Sequence, residues 1–140
     1  MDTKYSELVG SAIEALKYAY GIPEGRTVYS SAVLSRTGKV YSASAYGSDT
    51  ASLTLHGEQA ALAHAAAHMD GDIVAIATVS DAEPEDGVFC TPCGMCKQLI
   101  WENSLRSGIH IDVIMANKSG KYAVRKIDDL VPFPWPPRKN

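Results

Sequence analysis

The run Ile73-Val74-Ala75-Ile76-Ala77-Thr78-Val79 is almost unbroken in its apolar character, so neither side of it is left for water. A strand of that composition belongs at the centre of a sheet, with other elements packed on both faces. The segments around it read as helices. Residues 55–69 are dense in alanine and poor in breakers before Asp70-Gly71 closes them, and a further helix is expected from near Cys93 to about Ser107. At the N-terminus Tyr5, Leu8, Val9, Ala12, Leu16 and Tyr20 recur at the three-to-four spacing of one buried helix face, with Gly21 and Pro23 as stop signals. Residues 27–35 and 40–46 are rich in β-formers and flank Arg36-Thr37-Gly38-Lys39, a hairpin with a glycine turn. Residues 109–115 and 122–126 supply two more strands around Lys118-Ser119-Gly120-Lys121. The order helix, hairpin, helix, strand, helix, strand, strand predicts an α/β fold around one mixed sheet, in two or three layers; the three-layer α/β/α sandwich is the expectation.

Residues 1–140 read as a single domain, for neither a repeat nor an internal linker divides them. Residues 130–140 are expected to form an extended tail, because Val131-Pro132-Phe133-Pro134-Trp135-Pro136-Pro137 cannot continue a helix. Thirteen Lys and Arg against sixteen Asp and Glu give a net charge of -3, which lacks the basic excess that phosphate contacts require, so no nucleic-acid partner is expected. No stretch approaches the ~18 apolar residues of a membrane span and the first residues lack the apolar core of a signal peptide, so no membrane partner is expected. Three cysteines, two of them three positions apart, argue against a disulfide scaffold and for a reducing cytoplasm.

Two short segments carry chemistry. His56-Gly57-Glu58-Gln59 opens the second expected helix, and Thr91-Pro92-Cys93-Gly94-Met95-Cys96 opens the third. A Cys-x-x-Cys at a helix N-terminus can bring two sulfurs to one point, where the free N–H groups and the dipole favour thiolates. Two thiolates and one imidazole make a catalytic Zn²⁺ set, with the fourth tetrahedral position left for water. Glu58, two residues from His56, stays near the metal without ligating it and is placed to shuttle protons. A lone Cys-x-x-Cys would equally suit a redox pair, and Cys90-x-x-Cys93-x-x-Cys96 invites an iron–sulfur reading. The cluster lacks a fourth cysteine, and the His-x-Glu and Pro-Cys-x-x-Cys segments in this order form the known signature of zinc deaminases.

On these residues the chain resembles the cytidine deaminase superfamily, nearest the small free-nucleoside cytidine deaminases and blasticidin-S deaminase. Pro92-Cys93-Gly94 with Lys97-Gln98 keeps the nucleoside-branch pattern, and the likeness runs from the N-terminal helix to the final strands. The resemblance implies that His56, Cys93 and Cys96 bind zinc, that Glu58 is the proton shuttle, and that the backbone around Gly57 and Thr91 touches the base and the departing ammonia. It also implies a small-molecule substrate and a homo-oligomer, a homotetramer or homodimer. The activity implied is hydrolytic deamination of cytidine or deoxycytidine.

Two departures stand out. Many small members have Cys where this chain has His56, and Arg after the Glu where it has Gln59; two thiolates with a neutral imidazole leave Zn²⁺ neutral, so no Arg is required. The family's ribose clamp, an Asn-x-Glu on the second hairpin strand, has no counterpart, since residues 27–57 contain neither Asn nor Glu. Ser44 and Tyr46 are the candidates in that stretch for substrate contact. A missing hydroxyl clamp alters specificity more than chemistry, so the alternative is a deaminase of a blasticidin-S-like nucleoside or of a modified or free base. A nucleic-acid-editing deaminase, suggested by Met95, and an inactive metal-binding relative are the remaining readings. His64 and His68 read as a solvated helix face, Cys90 as a small buried residue, and Leu99, Ile100 and Trp101 as core. Phe133 and Trp135 are expected either to close a pocket or subunit contact or to pack on the protein's own surface.

Overall fold

The computed structural model describes residues 3–139. The elements are α1 (Thr3–Ala15), β1 (Tyr29–Ser35), β2 (Val40–Ser44), α2 (Gly57–Ala67), β3 (Ile73–Ser80), α3 (Gly94–Ser107), β4 (Asp112–Ala116), β5 (Tyr122–Lys126) and a four-residue α4 (Ile127–Leu130), with single 3-10 turns at Leu16–Tyr18 and Ala51–Leu53. The strands form one mixed sheet in the order β2-β1-β3-β4-β5. The apolar run is its central strand, antiparallel to β1 and parallel to β4. The β3–β4 crossover is α3, as a parallel connection requires.

The sheet is covered on both faces. Ala32, Leu34, Ala75, Ala77, Val79 and Ile114 pack under Leu8, Val9 and Ala12 of α1. Val33, Ile76, Val113 and Met115 pack against Ala61 and Ala65 of α2 and Ile100 and Trp101 of α3. Alternate residues of one strand thus serve opposite layers, which is why an uninterrupted apolar sequence is needed at β3. The fold is the expected three-layer α/β/α sandwich. The small Ala61 and Ala65 bring α2 close to one face, Ala75 and Ala77 of β3 lie under α1 on the other, and each fully buried Ile or Val contributes about 1.5–3 kcal/mol of burial.

Several details differ from the sequence reading. The first helix ends at Ala15 and tightens into the 3-10 turn rather than running to Tyr20. Ile127–Leu130 form a helical turn that no periodicity signals. The tail does not run straight: residues 131–136 bend back on α3, where Trp101 Nε1 donates to the Pro136 carbonyl (2.7 Å) and Gln98 Nε2 to the Trp135 carbonyl (2.7 Å). Arg138 fixes the end, with Nη2 2.7 Å from Ser104 Oγ and 3.0 Å from Asp128, and its guanidinium over the Trp101 ring. Phe133 and Trp135 stay exposed. Of the three residues read as core, Ile100 and Trp101 are buried and Leu99 faces outward. His64 and His68 lie on the exposed face of α2 with Nδ1 atoms 2.9 Å from the carbonyls of Ser42 and His64 respectively. No described helix is long and apolar enough to cross a membrane.

Candidate functional site

The site forms where β3 ends. Tyr29 at the start of β1 pairs with Ser80 at the end of β3, and Ser44 at the end of β2 pairs with Ser30, so three strands reach the same edge. Ligand sites in open α/β sheets sit at the carboxyl ends of the parallel strands. Two helices begin there. His56 is the N-cap of α2 and Cys93 the N-cap of α3, each with extended backbone (ψ 157 and 173). Cys96 follows in the first turn of α3 and is buried. The chain delivers two potential ligands at helix caps and a third within the helix.

His56 Nδ1 is 3.3 Å from Cys93 Sγ and 3.3 Å from Cys96 Sγ. All three donor atoms lie within 4.8 Å of one another, the one such group among the described residues. Zn–S bonds of about 2.3 Å and Zn–N bonds of about 2.0–2.1 Å at tetrahedral angles hold N and S roughly 3.5 Å apart, so the donor set fits Zn²⁺ with one position open. Burial first, then the neighbouring Glu58 and Cys93, pushes the Cys96 thiol well above its ordinary range. Such crowding of anionic groups is what a dication relieves, since coordination deprotonates a thiol outright.

Gln59 explains one departure from the family pattern. Its Oε1 accepts a hydrogen bond from the His56 backbone N–H at 2.7 Å, the reciprocal half of a capping box. The residue after the Glu therefore stiffens the helix start that carries His56 instead of supplying a charge to the metal.

Glu58 is 5 % exposed. Burial raises its carboxyl above the usual range, opposed by its own backbone N–H, by His56, and by Thr78 and Cys96. It lines a cavity of about 760 Å³ together with His56, Cys90, Thr91 and Cys93. Cys90 is partly buried, its Sγ 3.7 Å from Thr78 Oγ1, and burial raises its thiol to about 11.

Cys96, buried behind the wall, and Ser44, Tyr46 and Gly57 do not line this cavity. Ser44 is buried, with Oγ 3.4 Å from the Tyr29 carbonyl that it faces as donor. Tyr46 is turned outward and stacks on Tyr20 with centroids 5.2 Å apart. Ala45 between them takes the cavity-facing place. Neighbours on an extended chain point to opposite sides, so Ala45 faces the cavity while Ser44 and Tyr46 face away from it. Gly57 is pressed against the sheet: a Cβ there would meet Ser30 Cα at 2.7 Å and the Tyr29 carbonyl oxygen at 3.0 Å. The missing Cβ lets α2 approach β1 closely. Further polar residues on the cavity wall, Arg26, Thr27, Ser48, Asp49 and Thr54, come from loops whose direction no periodicity reveals.

The described chain matches known proteins in both sequence pattern and shape. The family model "Cytidine and deoxycytidylate deaminase zinc-binding region" matches residues 2–110. The cytidine deaminase from Burkholderia pseudomallei superposes with a TM-score of 0.80 at 26 % identity, covering 96 % of this chain and 100 % of that one. The cytidine deaminase from Mycobacterium tuberculosis gives 0.74 at 25 % identity, covering 96 % and 98 %. That from Bacillus anthracis, at 16 % identity and a TM-score of 0.70 over 96 % and 90 %, shares the fold. No curated protein matches. With its His56, Cys93 and Cys96 set in place for a metal, the chain belongs to the cytidine and deoxycytidylate deaminase family and is a zinc-dependent hydrolytic deaminase.

Proposed function

We propose that the substrate is a free cytosine-type nucleoside, cytidine or deoxycytidine, converted to its uridine counterpart with release of ammonia. The observation that carries this reading is the placement of Glu58, buried on the wall of the cavity beside the His56, Cys93 and Cys96 cluster. The neighbours at 25–26 % identity are cytidine deaminases, which supports the base as cytosine. His56, Cys93 and Cys96 would hold the zinc, whose chemistry is to make a water nucleophilic near neutral pH. Glu58 takes up a proton at its carboxyl, delivers it to ring nitrogen N3, and passes a second to the amine. A C4–O bond forms, the C4–N bond breaks, and one water is consumed for each ammonia released. Thr91, on the cavity wall, is placed to touch the base or the departing amine.

A second reading is favoured by the hairpin. With Ser44 and Tyr46 turned from the cavity and no Asn or Glu within 27–57, the ribose lacks the family clamp. A blasticidin-S-like nucleoside, or a modified or free base, would need none. Ammonia release by the zinc-loaded protein on cytidine, deoxycytidine, cytosine and blasticidin S, with adenosine and guanine as outgroups and Glu58→Ala as control, separates the two. Turnover of cytidine abolished by the substitution supports the first reading. Turnover of another compound alone supports the second.

The exposed Tyr20–Tyr46 stack, with Leu53 and Leu55 nearby in the chain and also exposed, suits burial against another copy in a homodimer or homotetramer. Light scattering measures this directly. Three free thiols suit a reducing cytoplasm, and the net charge of -3 favours a small molecule over nucleic acid.

A further inference from the structure

The outer face of α2 carries a pair of histidines that the deamination site does not use. His64 lies in the last turn of the helix and His68 is its C-cap, so the two stand one above the other, and both are exposed. Neither ring is loose. His64 Nδ1 is 2.9 Å from the Ser42 carbonyl oxygen on β2, and His68 Nδ1 is 2.9 Å from the His64 carbonyl oxygen. A carbonyl oxygen only accepts, so Nδ1 carries the hydrogen on each ring and the lone pair of the neutral imidazole is left on Nε2. The buried Tyr41 packs against both rings, with its centroid 5.3 Å from that of His64 and 5.2 Å from that of His68. The Tyr41 hydroxyl is committed elsewhere: it donates to Asp70 Oδ2 (2.8 Å), which also accepts from Thr37 Oγ1 (2.7 Å). The other two histidines are differently placed, His56 in the cluster with Cys93 and Cys96 and His110 against Asp128.

A carbonyl on one imidazole nitrogen is the usual support for a metal on the other, since it fixes the tautomer and the ring orientation and raises ligand basicity. Two rings that share one ion, with metal–nitrogen bonds of about 2.0–2.1 Å at roughly 90–110°, have centroids about 4.5–5.3 Å apart. The His64 and His68 centroids are 5.1 Å apart, with the rings at 61° to each other rather than stacked. We propose that His64 and His68 form a second metal site, which takes one divalent first-row ion of the kind imidazole favours, Cu²⁺, Ni²⁺ or Zn²⁺, with water in the remaining positions. Two nitrogen ligands without a carboxylate select these ions over Mg²⁺ and Ca²⁺. His64 follows His56 by eight residues, about 12 Å along the helix, so this site is separate from the cluster that serves the reaction. An ion held there clips the end of α2 to the turn before it. The inference does not depend on the substrate.

Ni²⁺ is the probe, added to protein already loaded with zinc so that the cluster of His56, Cys93 and Cys96 is filled. Calorimetry should find one Ni²⁺ bound per chain, and the paramagnetic ion should broaden the ring resonances of His64 and His68 ahead of those of His56 and His110. His64→Ala and His68→Ala should each weaken binding by at least about 10-fold, because losing even the partner that supports a ligand costs about 10- to 100-fold. His110→Ala, remote from the pair, should change binding by less than about twofold. With free Ni²⁺ about 100-fold above its Kd, the melting midpoint of the parent should rise by roughly 5–10 °C, and that of either variant of the pair should not follow. Mg²⁺ in place of Ni²⁺ should do none of this. Melting of each variant without nickel controls for folding, and broadening in the parent needs no substitution. No uptake of Ni²⁺, a midpoint that nickel leaves unmoved, binding unchanged in His64→Ala or His68→Ala, loss of binding in His110→Ala, or release of zinc in step with nickel uptake overturns the inference.

Discussion

Gly57→Ala tests whether the closeness of α2 to the sheet sets the site. An added Cβ would meet Ser30 Cα at 2.7 Å and Ser30 C at 2.9 Å, both backbone atoms of the interior strand β1. Relief to ordinary van der Waals contact demands a displacement of about 0.7 Å, and β1 is held on both sides by β2 and β3, so α2 must move. Overpacking of this kind costs about 1–3 kcal/mol, offset by up to about 1 kcal/mol from replacing glycine in a helix. A net loss of about 1–2 kcal/mol lowers the midpoint of a chain this long by roughly 3–10 °C. The moved residues are the neighbours of Gly57, the candidate metal ligand His56 and the carboxylate Glu58. A shift approaching 1 Å can cost about 10²-fold in rate, so turnover should fall by about 10- to 100-fold while the far-ultraviolet spectrum is kept. Scanning calorimetry, zinc content after dialysis and ammonia release measure the three effects. A variant that melts within about 1 °C of the parent and turns over within about twofold of it refutes the reasoning.

Further outcomes follow from the same geometry. Glu58→Gln should retain zinc at full stoichiometry and lose about 10²–10⁴-fold in turnover, read by metal analysis beside ammonia release. Cys96→Ser should lose zinc to a mild chelator and melt earlier than the parent, because metal binding energy is also folding energy. Asp128 is held below the ordinary carboxylate value of 3.8: burial alone would raise it, and His110 and Arg138 outweigh that. A depressed folded value gives stability that is fully present above the unfolded value and is lost as pH falls through the folded one. The stability gap between the parent and Asp128→Asn should therefore stay level above that range and close as pH falls below 3.8. Arg138→Ala should free the tail, read as faster exchange of the Trp101 indole N–H, which donates to Pro136.

Much of this was legible because the signals are local. The central strand announced itself by its lack of polar residues, and the candidate metal site by two four-to-six-residue segments at helix starts. What failed depended on which way a side chain points. Ser44 and Tyr46 lie in the right stretch of chain, but a period of two means that one step of register exchanges the cavity face for the opposite one. Arg26 sits in a turn where no period exists, and only three-dimensional proximity joins it to His56. The four residues of α4 are too few to show a helical repeat. The return of the tail depends on Trp101 and Ser104, some thirty residues earlier, offering it partners.

The capping positions of His56 and Cys93 have a mechanical consequence. The two residues stand 37 apart in sequence and cap different helices on one face of the sheet. A metal bound between them cross-links the chain as a disulfide would, across the whole of α2 and β3. By the loop-entropy estimate a closure of that length is worth about 4 kcal/mol. A thiol-reducing compartment that forbids disulfides leaves such a staple intact. The same ion that serves the reaction then also keeps the starts of two helices from drifting apart.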